Sequence, residues 1–392
     1  MSLHIKQLDI AQFRGYDFLR LEDLGHLTVV VGPNAVGKTN LVEAVQLLTS
    51  GASFRRPSWD EVISWGCDSA MIKAQLIDGE RNLEHKMVVD DSGRRYEING
   101  KKKSVAGLRG TCPSVLFIPD HLQMVKASSA ARRDAVDALG VQLSKNYSSL
   151  RQDYNQSLKQ RNLLIKDGMH SGPLFESWDE SACINGARLC VNRWRLFSRL
   201  AALMQEIYPS LVEDEELSCI YLPSWSRFDE QGRQISDVAQ LDDARSLVGE
   251  DSEEQGVDEV QQRLQKASQD LCFSEIQRKT SLIGPHKDEI AFYINGRNAR
   301  MFASQGQQRT VVLAWKLAEV ELVREFGGTD PVLLLDDVMS ELDAARRDAL
   351  TSFVDKSAQT FITTTNLGYF SDELIEQAQI IEVPIEGSRL KY

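Results

Sequence analysis

The sequence lacks several features that mark simple classes of protein. None of its six cysteines forms a Cys-x-x-Cys pair, which argues against the common zinc and redox motifs. No apolar run approaches the ~20 residues that span a bilayer, and the N-terminus has no basic segment followed by an apolar core. We therefore expect no signal peptide and no membrane partner. Scattered cysteines in a chain of this size fit a cytoplasmic protein.

Excess positive charge is also missing. The chain has 45 Lys and Arg against 57 Asp and Glu, a net charge of −12. This argues against a protein that coats nucleic acid by bulk charge, but it is compatible with a local basic patch. The length of 392 residues predicts two or three domains, each large enough to bury a core.

The apolar pattern predicts an α/β fold with a helical middle. Continuous β-branched or apolar runs predict buried strands at 27–31, 115–118, 332–335 and 360–365. Alternating patterns and turn residues predict further strands at 5–10, 71–76, 83–89, 95–98, 217–222 and 290–294. Helical spacing predicts helices at 38–49, 260–277, 307–326 and 344–354. Between 121 and 208 the spacing predicts a pair of long helices with a turn at 167–173.

One glycine-rich segment carries a specific chemistry. Gly32-Pro-Asn-Ala-Val-Gly-Lys-Thr39 fits the P-loop pattern G-x-x-x-x-G-K-[ST] and lies between a predicted strand and a predicted helix. Glycines allow backbone N–H groups to point at phosphate oxygens, and the helix adds its positive end. Lys38 would reach the β- and γ-phosphates, and Thr39 would bind Mg²⁺. We expect nucleotide contacts from Gly32, Pro33, Asn34, Ala35, Val36, Gly37, Lys38, Thr39 and Asn40.

A P-loop also needs a carboxylate for its metal ion. The apolar run 332–335 ends in Asp336 and Asp337, at the strand end where α/β sheets bind ligands. We expect Asp336 to hold Mg²⁺ through water and Asp337 to orient the attacking water as a catalytic residue. An aspartate that merely ends a strand in a turn is the alternative.

A third motif lies at the start of the helix predicted from 307. Ser304-Gln-Gly-Gln-Gln308 could form a second anion site or simply cap the helix. It resembles the serine–glycine signature with which ABC-class ATPases contact the γ-phosphate held by another subunit. Ser340-Glu-Leu-Asp343 resembles a segment that lines the same interface, and Thr363-Thr364-Thr365 ends a strand where a γ-phosphate sensor would lie.

The two nucleotide motifs lie about three hundred residues apart. A compact P-loop domain does not need that separation, so we expect a head built from both chain ends with a helical arm inserted. This is the layout of SMC-like members of the ABC class. The predicted domains are 1–120 and 281–392 for the head and 121–280 for the arm, with an acidic loop near 229–259.

Further strings make the chain resemble the RecF family of bacterial DNA replication and repair factors, SMC-like ABC ATPases. The matching strings span nearly the full length and are Phe13-Arg-Gly-Tyr16, Asn40-Leu-Val-Glu43-Ala, Ser53-Phe-Arg55, Val115-Leu-Phe-Ile-Pro119, Arg132-Arg133, Leu282-Ile-Gly-Pro-His-Lys-Asp288, Ser304-Gln-Gly-Gln-Gln-Arg-Thr310 and Leu335-Asp-Asp-Val-Met-Ser-Glu-Leu-Asp343. The chain departs from the family at Asp120-His121 and at Ala35-Val36.

The resemblance implies an ATP-switched DNA clamp. Such a protein binds ATP and Mg²⁺, forms an ATP-dependent homodimer, and associates with single- and double-stranded DNA at gaps. It acts with RecR and RecO to load RecA, and its hydrolysis of ATP is weak and stimulated by DNA. The implied catalytic residues are Asp337, Lys38 and Ser304. Further nucleotide contacts are implied for Gln305, Gly306, Asp343 and Thr364.

Two basic groups are candidate DNA contacts. Arg188, Arg195 and Arg199 fall on one helical stripe, and Lys101-Lys102-Lys103 follow a predicted turn. Either group could equally be a solvated face. Two other functions stay open from the residues alone. One is the ATP-binding subunit of an ABC transporter or another mechanochemical ABC machine, and the other is a scaffold that binds ATP for structure.

Overall fold

The computed structural model describes residues 3–79, 81–108, 111–227, 253–354, 358–384 and 389–390. Its contacts divide the chain into two compact units. The first contains Met1–Gln123, Ile207–Glu213 and Arg309–Tyr392, and the second contains Met124–Glu206 and Asp214–Gln308. Both chain ends therefore lie in one unit, and the helical middle lies in the other.

The strands are, in chain order, β1 His4–Phe13, β2 Tyr16–Leu21, β3 Leu27–Val31, β4 Ser69–Asp78, β5 Arg81–Asp90, β6 Gly93–Ile98, β7 Lys101–Lys103, β8 Ser114–Phe117, β9 Leu217–Leu222, β10 Glu289–Ile294, β11 Arg297–Asn298, β12 Val332–Asp336, β13 Thr360–Thr364, β14 Gln379–Glu382 and β15 Arg389–Leu390. The helices are α1 Lys38–Ser50, α2 Val105–Leu108, α3 Ser129–Leu143, α4 Lys145–Lys166, α5 Pro173–Ile207, α6 Glu253–Arg278, α7 Ala299–Phe302, α8 Gln305–Gly327, α9 Ala344–Val354 and α10 Asp372–Gln377.

The first unit contains two sheets. Five parallel strands lie in the order β14-β3-β13-β12-β8, and seven antiparallel strands lie in the order β15-β2-β1-β4-β5-β6-β7. Four of the parallel strands, β3, β8, β12 and β13, are almost entirely buried, which explains why β12 reads as a continuous apolar run, whereas the edge strand β14 is half-buried to exposed. β4 instead alternates buried and half-buried residues, as expected for a strand with one face on the core.

Helix α1 packs between these two sheets. Leu41 and Val45 are fully buried and belong to one apolar cluster with Ile10 of the antiparallel sheet and Phe361 of the parallel sheet. Burying such a side chain contributes about 1.5–3 kcal/mol to folding. The packing therefore fixes α1 firmly just after the predicted P-loop.

The second unit is mainly helical. The segment predicted as a pair of helices forms three, because Ser144 ends α3 and its side chain also caps α4 by accepting a hydrogen bond from the Tyr147 backbone N–H. Buried ion pairs join the helices: Arg193 bonds Asp137 at 2.8 Å, and Arg161 bonds Glu275 at 2.7 Å. The structure contains no helix long and apolar enough to cross a membrane among its described residues.

Three predicted assignments differ from the structure. Residues 121–123 and 207–213 were expected in the helical arm but lie in the first unit. Residues 281–308 were expected in the head but lie in the second unit, because β10 pairs with β9, Glu289 opposite Leu222. The acidic segment 229–259 lies outside the described residues up to 252, and from Glu253 onward it belongs to α6 instead of a loop.

Candidate nucleotide site

The parallel sheet brings its functional residues to one edge. β13 pairs with β3 on one side and with β12 on the other, so that Thr364 lies opposite Val31 and Thr363 opposite Asp336. Because all these strands are parallel, their carboxyl ends meet at this edge. The P-loop follows β3 there, and Asp336 ends β12.

The P-loop has the backbone that its sequence predicts. Gly37 has φ 98° and Ala35 has φ 69°, both in the left-handed region. A Cβ on Gly37 would lie 3.0 Å from the Tyr16 hydroxyl oxygen, and a Cβ on Gly32 would lie 2.4 Å from the Val383 carbonyl oxygen. Gly32 is therefore required by the close approach of backbone, and Gly37 by its positive φ, which strains any L side chain.

The amino end of α1 is open to an anion. No side chain caps it, and its first turn contains no acidic residue, so its N–H groups and positive end can bind phosphate. The Lys38 ammonium lies beside it and donates to the carbonyl oxygens of Gly32 and Pro33 at 2.8 and 2.7 Å. Burial lowers the pKa of Lys38, opposed by the charges of Asp337 and Asp336.

Oxygen atoms suited to a metal ion converge beside the loop. The Thr39 hydroxyl donates to Asp336 Oδ1 at 3.0 Å, and the Thr363 hydroxyl donates to the same oxygen at 2.7 Å. A hydroxyl and a carboxylate are the oxygen ligands that Mg²⁺ takes in P-loop sites. Thr39 and Asp336 thus fit the metal role that the sequence predicts for them.

Asp337 occupies a constrained position next to this pair. Its φ is 54°, and its backbone N–H donates to the Thr363 hydroxyl at 3.0 Å. Within the described part of the chain, its buried Oδ1 has no hydrogen-bond partner. Burial raises the pKa of Asp337; Lys38 opposes this, and Asp336 and Glu341 add to it. A carboxylate with an oxygen that has no hydrogen-bond partner and with a raised pKa is suited to hold a water molecule and accept its proton.

The segment after Asp337 is held by two arginines. The Ser340 hydroxyl donates to the Asp337 carbonyl oxygen at 2.9 Å. Arg309 of α8 bonds the Glu341 carboxylate at 3.1 Å, and the Arg346 backbone N–H donates to Asp343 Oδ1 at 3.0 Å. Asp343 therefore caps α9, and its side chain stays about half exposed.

Ser304, Gln305 and Gly306 lie in the second unit, at the start of α8. The Ser304 hydroxyl accepts from the Gln307 backbone N–H at 3.2 Å, and Gln307 Oε1 accepts from the Ser304 N–H at 2.9 Å. This is a capping box. Ser304 and Gln305 are exposed, so the cap and an anion contact are compatible roles for the same residues.

The basic candidates differ in their surroundings. Lys101, Lys102 and Lys103 form the edge strand β7 and are all exposed. Lysines at a sheet edge also prevent edge-to-edge association, which is a second explanation for their position. On α5, Arg188 and Arg199 are exposed and Arg195 is half-buried.

Other arginines near these two basic groups make structural contacts within the protein. Arg193 is buried against Asp137, and Arg94 packs 4.3 Å from the centroid of the Trp59 ring. Arg95 pairs with Asp90 at 2.5 Å.

The structure also reveals contacts that the sequence did not predict. Thr363 contacts both aspartates, whereas the predicted sensor Thr364 bonds Asn366 through its hydroxyl and accepts the Gly32 N–H through its carbonyl. Tyr16 donates to the Gly37 carbonyl oxygen at 3.1 Å. The string Phe13-Arg-Gly-Tyr16 was a signal for the Tyr16 contact, but its partner is visible only in three dimensions.

The chain is similar to known proteins over nearly its full length. The family model described as the RecF/RecN/SMC N terminal domain matches residues 4–383. The chain belongs to the RecF family. A RecF protein from Symbiobacterium thermophilum is 35% identical, covering 93% of this chain and 92% of the relative. RecF from Thermosynechococcus vestitus is 36% identical, covering 97% and 96%.

Solved structures give the same answer for the fold. The recombination mediator protein RecF in the RecFOR pathway, solved as RecF-ATPrS, superposes with a TM-score of 0.80 at 28% identity and covers 94% of each chain. The corresponding RecF-ATP structure gives 0.78 at 28% identity, covering 95% of this chain and 93% of that one.

An Smc head bound to the C-winged helix domain of ScpA gives a TM-score of 0.53 at 15% identity, covering 99% of this chain and 97% of that one. The likeness to this more distant head concerns the fold alone. The RecF family chain therefore has the ABC-type ATPase fold, and the predicted fold class is confirmed.

Proposed function

We propose that this RecF family chain is an ATP-dependent DNA-binding protein of DNA replication and recombinational repair. Family membership supports the repair role and ATP binding. The main support for the nucleotide chemistry is that Thr39, Asp336 and Asp337 lie together at one edge of the parallel sheet. The Lys38 ammonium lies beside them. This arrangement would bind ATP with Mg²⁺.

The chain's own residues divide the work. Loop N–H groups and Lys38 would hold the phosphates, and their positive charge would stabilise negative charge that develops during hydrolysis. Thr39 and Asp336 would supply oxygen ligands for Mg²⁺, which offsets phosphate charge when bound. Asp337 would orient water and accept its proton. Its raised pKa makes it a better base than an ordinary aspartate.

Hydrolysis is proposed to be slow and to act as a switch. In this proposal ATP joins two copies of the chain, with Ser304, Gln305 and Gly306 of one copy contacting the nucleotide of the other. The position of these residues at the start of α8, with Ser304 and Gln305 exposed, supports this role. Because ATP would bind the dimer more tightly than the monomer, it would shift the equilibrium toward the dimer.

DNA and the RecFOR proteins are the proposed partners. The RecF structures are described as parts of the RecFOR pathway, which supports RecR and RecO as partners of this chain. Single- and double-stranded DNA at gaps and assistance to RecA complete the proposal, and these partners imply a cytoplasmic location. Membership of the RecF family gives no reason to prefer an ABC transporter subunit or a passive scaffold.

The proposal is tested by phosphate release from ATP with and without gapped duplex DNA. We expect a slow basal rate that rises with DNA and that Lys38→Ala abolishes. A rate that DNA does not change would contradict the DNA-linked ATPase. A Lys38→Ala variant as active as the wild type would show that the hydrolysis belongs to another site.

A further inference from the structure

Glu43 is a buried carboxylate on α1, one turn after Thr39. Its side chain is fully buried. Arg14 donates to it twice, from Nε at 3.0 Å and from Nη2 at 2.8 Å. Arg55 Nη1 donates at 3.1 Å and the Ser53 hydroxyl at 2.5 Å. A buried carboxylate needs such partners because an unpaired charge is costly in the interior.

The same cluster reaches the phosphate loop. Arg55 Nη1 also donates to Asn40 Oδ1 at 2.8 Å, and Asn40 follows the Lys38-Thr39 pair directly. On the other side, Tyr16 of the same β1–β2 hairpin as Arg14 donates to the Gly37 carbonyl oxygen at 3.1 Å. The hairpin and the segment around 53–55 therefore contact α1 at its N-cap, its first turn and its second turn.

We propose that Glu43 is a positioning residue for ATP binding. Through Arg14 and Arg55 it holds the first two turns of α1 in the phosphate-binding geometry before the nucleotide arrives. Bidentate arginine–carboxylate bonds give this restraint a defined direction. A site ordered in advance loses less entropy on binding, so it gains affinity without a new contact to the ligand.

The inference rests on the proposed ATP site and makes a specific kinetic claim. Glu43 lies in the second turn of α1, whereas the proposed base, Asp337, follows β12. Loosening the loop should therefore raise the Kd and KM for ATP more than it lowers kcat. A purely electrostatic role of Glu43 predicts the opposite change, a lower Kd for ATP, because removing one negative charge beside two arginines would strengthen phosphate binding.

The experiment compares Glu43→Gln with the wild type, using a fluorescent ATP analogue for Kd and phosphate release for kcat. We expect Kd to rise about tenfold and kcat to change less than about threefold. Asp9→Asn is the matched control, since buried Asp9 accepts from Arg20 at 2.8 Å in the same unit. It should lower thermal stability and leave Kd unchanged.

Two further variants keep the test decisive if Glu43→Gln folds poorly. Tyr16→Phe removes only the donor to the Gly37 carbonyl and should weaken ATP binding by about threefold. Arg55→Ala should weaken it as well, and adding Glu43→Gln to Arg55→Ala should cost less than Glu43→Gln alone, because the pair acts as one unit.

Three results would overturn the inference. They are an unchanged Kd in folded Glu43→Gln and Tyr16→Phe, tighter binding by Glu43→Gln, and a loss confined to kcat. A wild-type chain that does not bind ATP would instead reject the proposed function itself, so the two failures are distinguishable.

Discussion

The Thr39 hydroxyl lies 3.0 Å from Asp336 Oδ1, although the two residues are separated by 297 positions in the chain. The bond joins the P-loop to the strand that ends in the two aspartates. It shows that the candidate nucleotide site brings together residues from both ends of the sequence. Because the pair belongs to one compact unit, the site does not depend on the helical second unit for these contacts.

Asp337→Asn should separate binding from hydrolysis. The amide cannot accept the proton of water, so we expect hydrolysis to fall by roughly 10²–10⁴-fold while ATP still binds. In the proposed switch, the variant should accumulate as an ATP-bound dimer. Phosphate release and gel filtration in ATP measure both effects. A variant that hydrolyses normally, or that dissociates freely in ATP, would contradict the assignment.

Ser304→Ala should block dimer formation and spare ATP binding by the monomer. The change also removes a helix cap, worth about 1 kcal/mol. Ser128→Ala is the matched control, because Ser128 caps α3 by accepting from the Ala131 N–H at 3.3 Å. We expect similar losses of thermal stability but a dimer defect only for Ser304→Ala. Loss of ATP binding by the Ser304→Ala monomer would rule out the contact across the dimer.

His286 should make the second unit less stable in acid. Burial lowers the pKa of His286 to about 4, and Tyr154 Oη lies 2.6 Å from its Nδ1. In the unfolded chain His286 binds a proton near pH 6.5, whereas in the folded chain it stays neutral until about pH 4. Stability therefore falls as the pH drops from about 6.5 to 4, by at most roughly 3 kcal/mol.

Urea unfolding at pH 5 and pH 7 checks this effect. His286→Gln should lose less stability on acidification than the wild type does, whatever its stability at pH 7. Equal losses in the two proteins would mean that other groups cause the acid sensitivity.

The two basic groups can be told apart by salt. Each phosphate contact contributes about 0.9 to the slope of log K against log salt on duplex DNA. If Lys101, Lys102 and Lys103 all contact phosphates, replacing them with alanine should reduce the slope by about three. The same test applies to the arginines at 188, 195 and 199 of α5. A group whose removal leaves both affinity and slope unchanged does not contact DNA.

The sequence was most informative where a function needs a particular residue type at a fixed spacing. Lys38, Asp336 and the buried strands around them follow from the P-loop spacing and from continuous apolar runs, and the strands are present in the structure. Short edge strands such as β14 carry no such signal, because four residues with two polar ends do not show a period. The break between α3 and α4 was missed because apolar spacing continues across Ser144.

The partners of buried charged residues were the other feature that the sequence did not predict. No pattern in the sequence predicts that Arg193 of α5 is buried against Asp137 of α3. Likewise, nothing in the sequence joins Glu43 to Arg14 and Arg55, which come from three separate segments. Periodicity predicts which face of an element is buried, whereas the identity of the partner depends on tertiary packing.

Light scattering of the purified protein, with and without ATP and a gapped DNA duplex, tests the central claim most directly. The ATP-switch account predicts a monomer that becomes a dimer only with ATP and that then holds DNA more tightly. Lys38→Ala should stay monomeric under all conditions. A mass that neither ATP nor DNA changes, in a protein shown to bind ATP, would contradict the proposed switch.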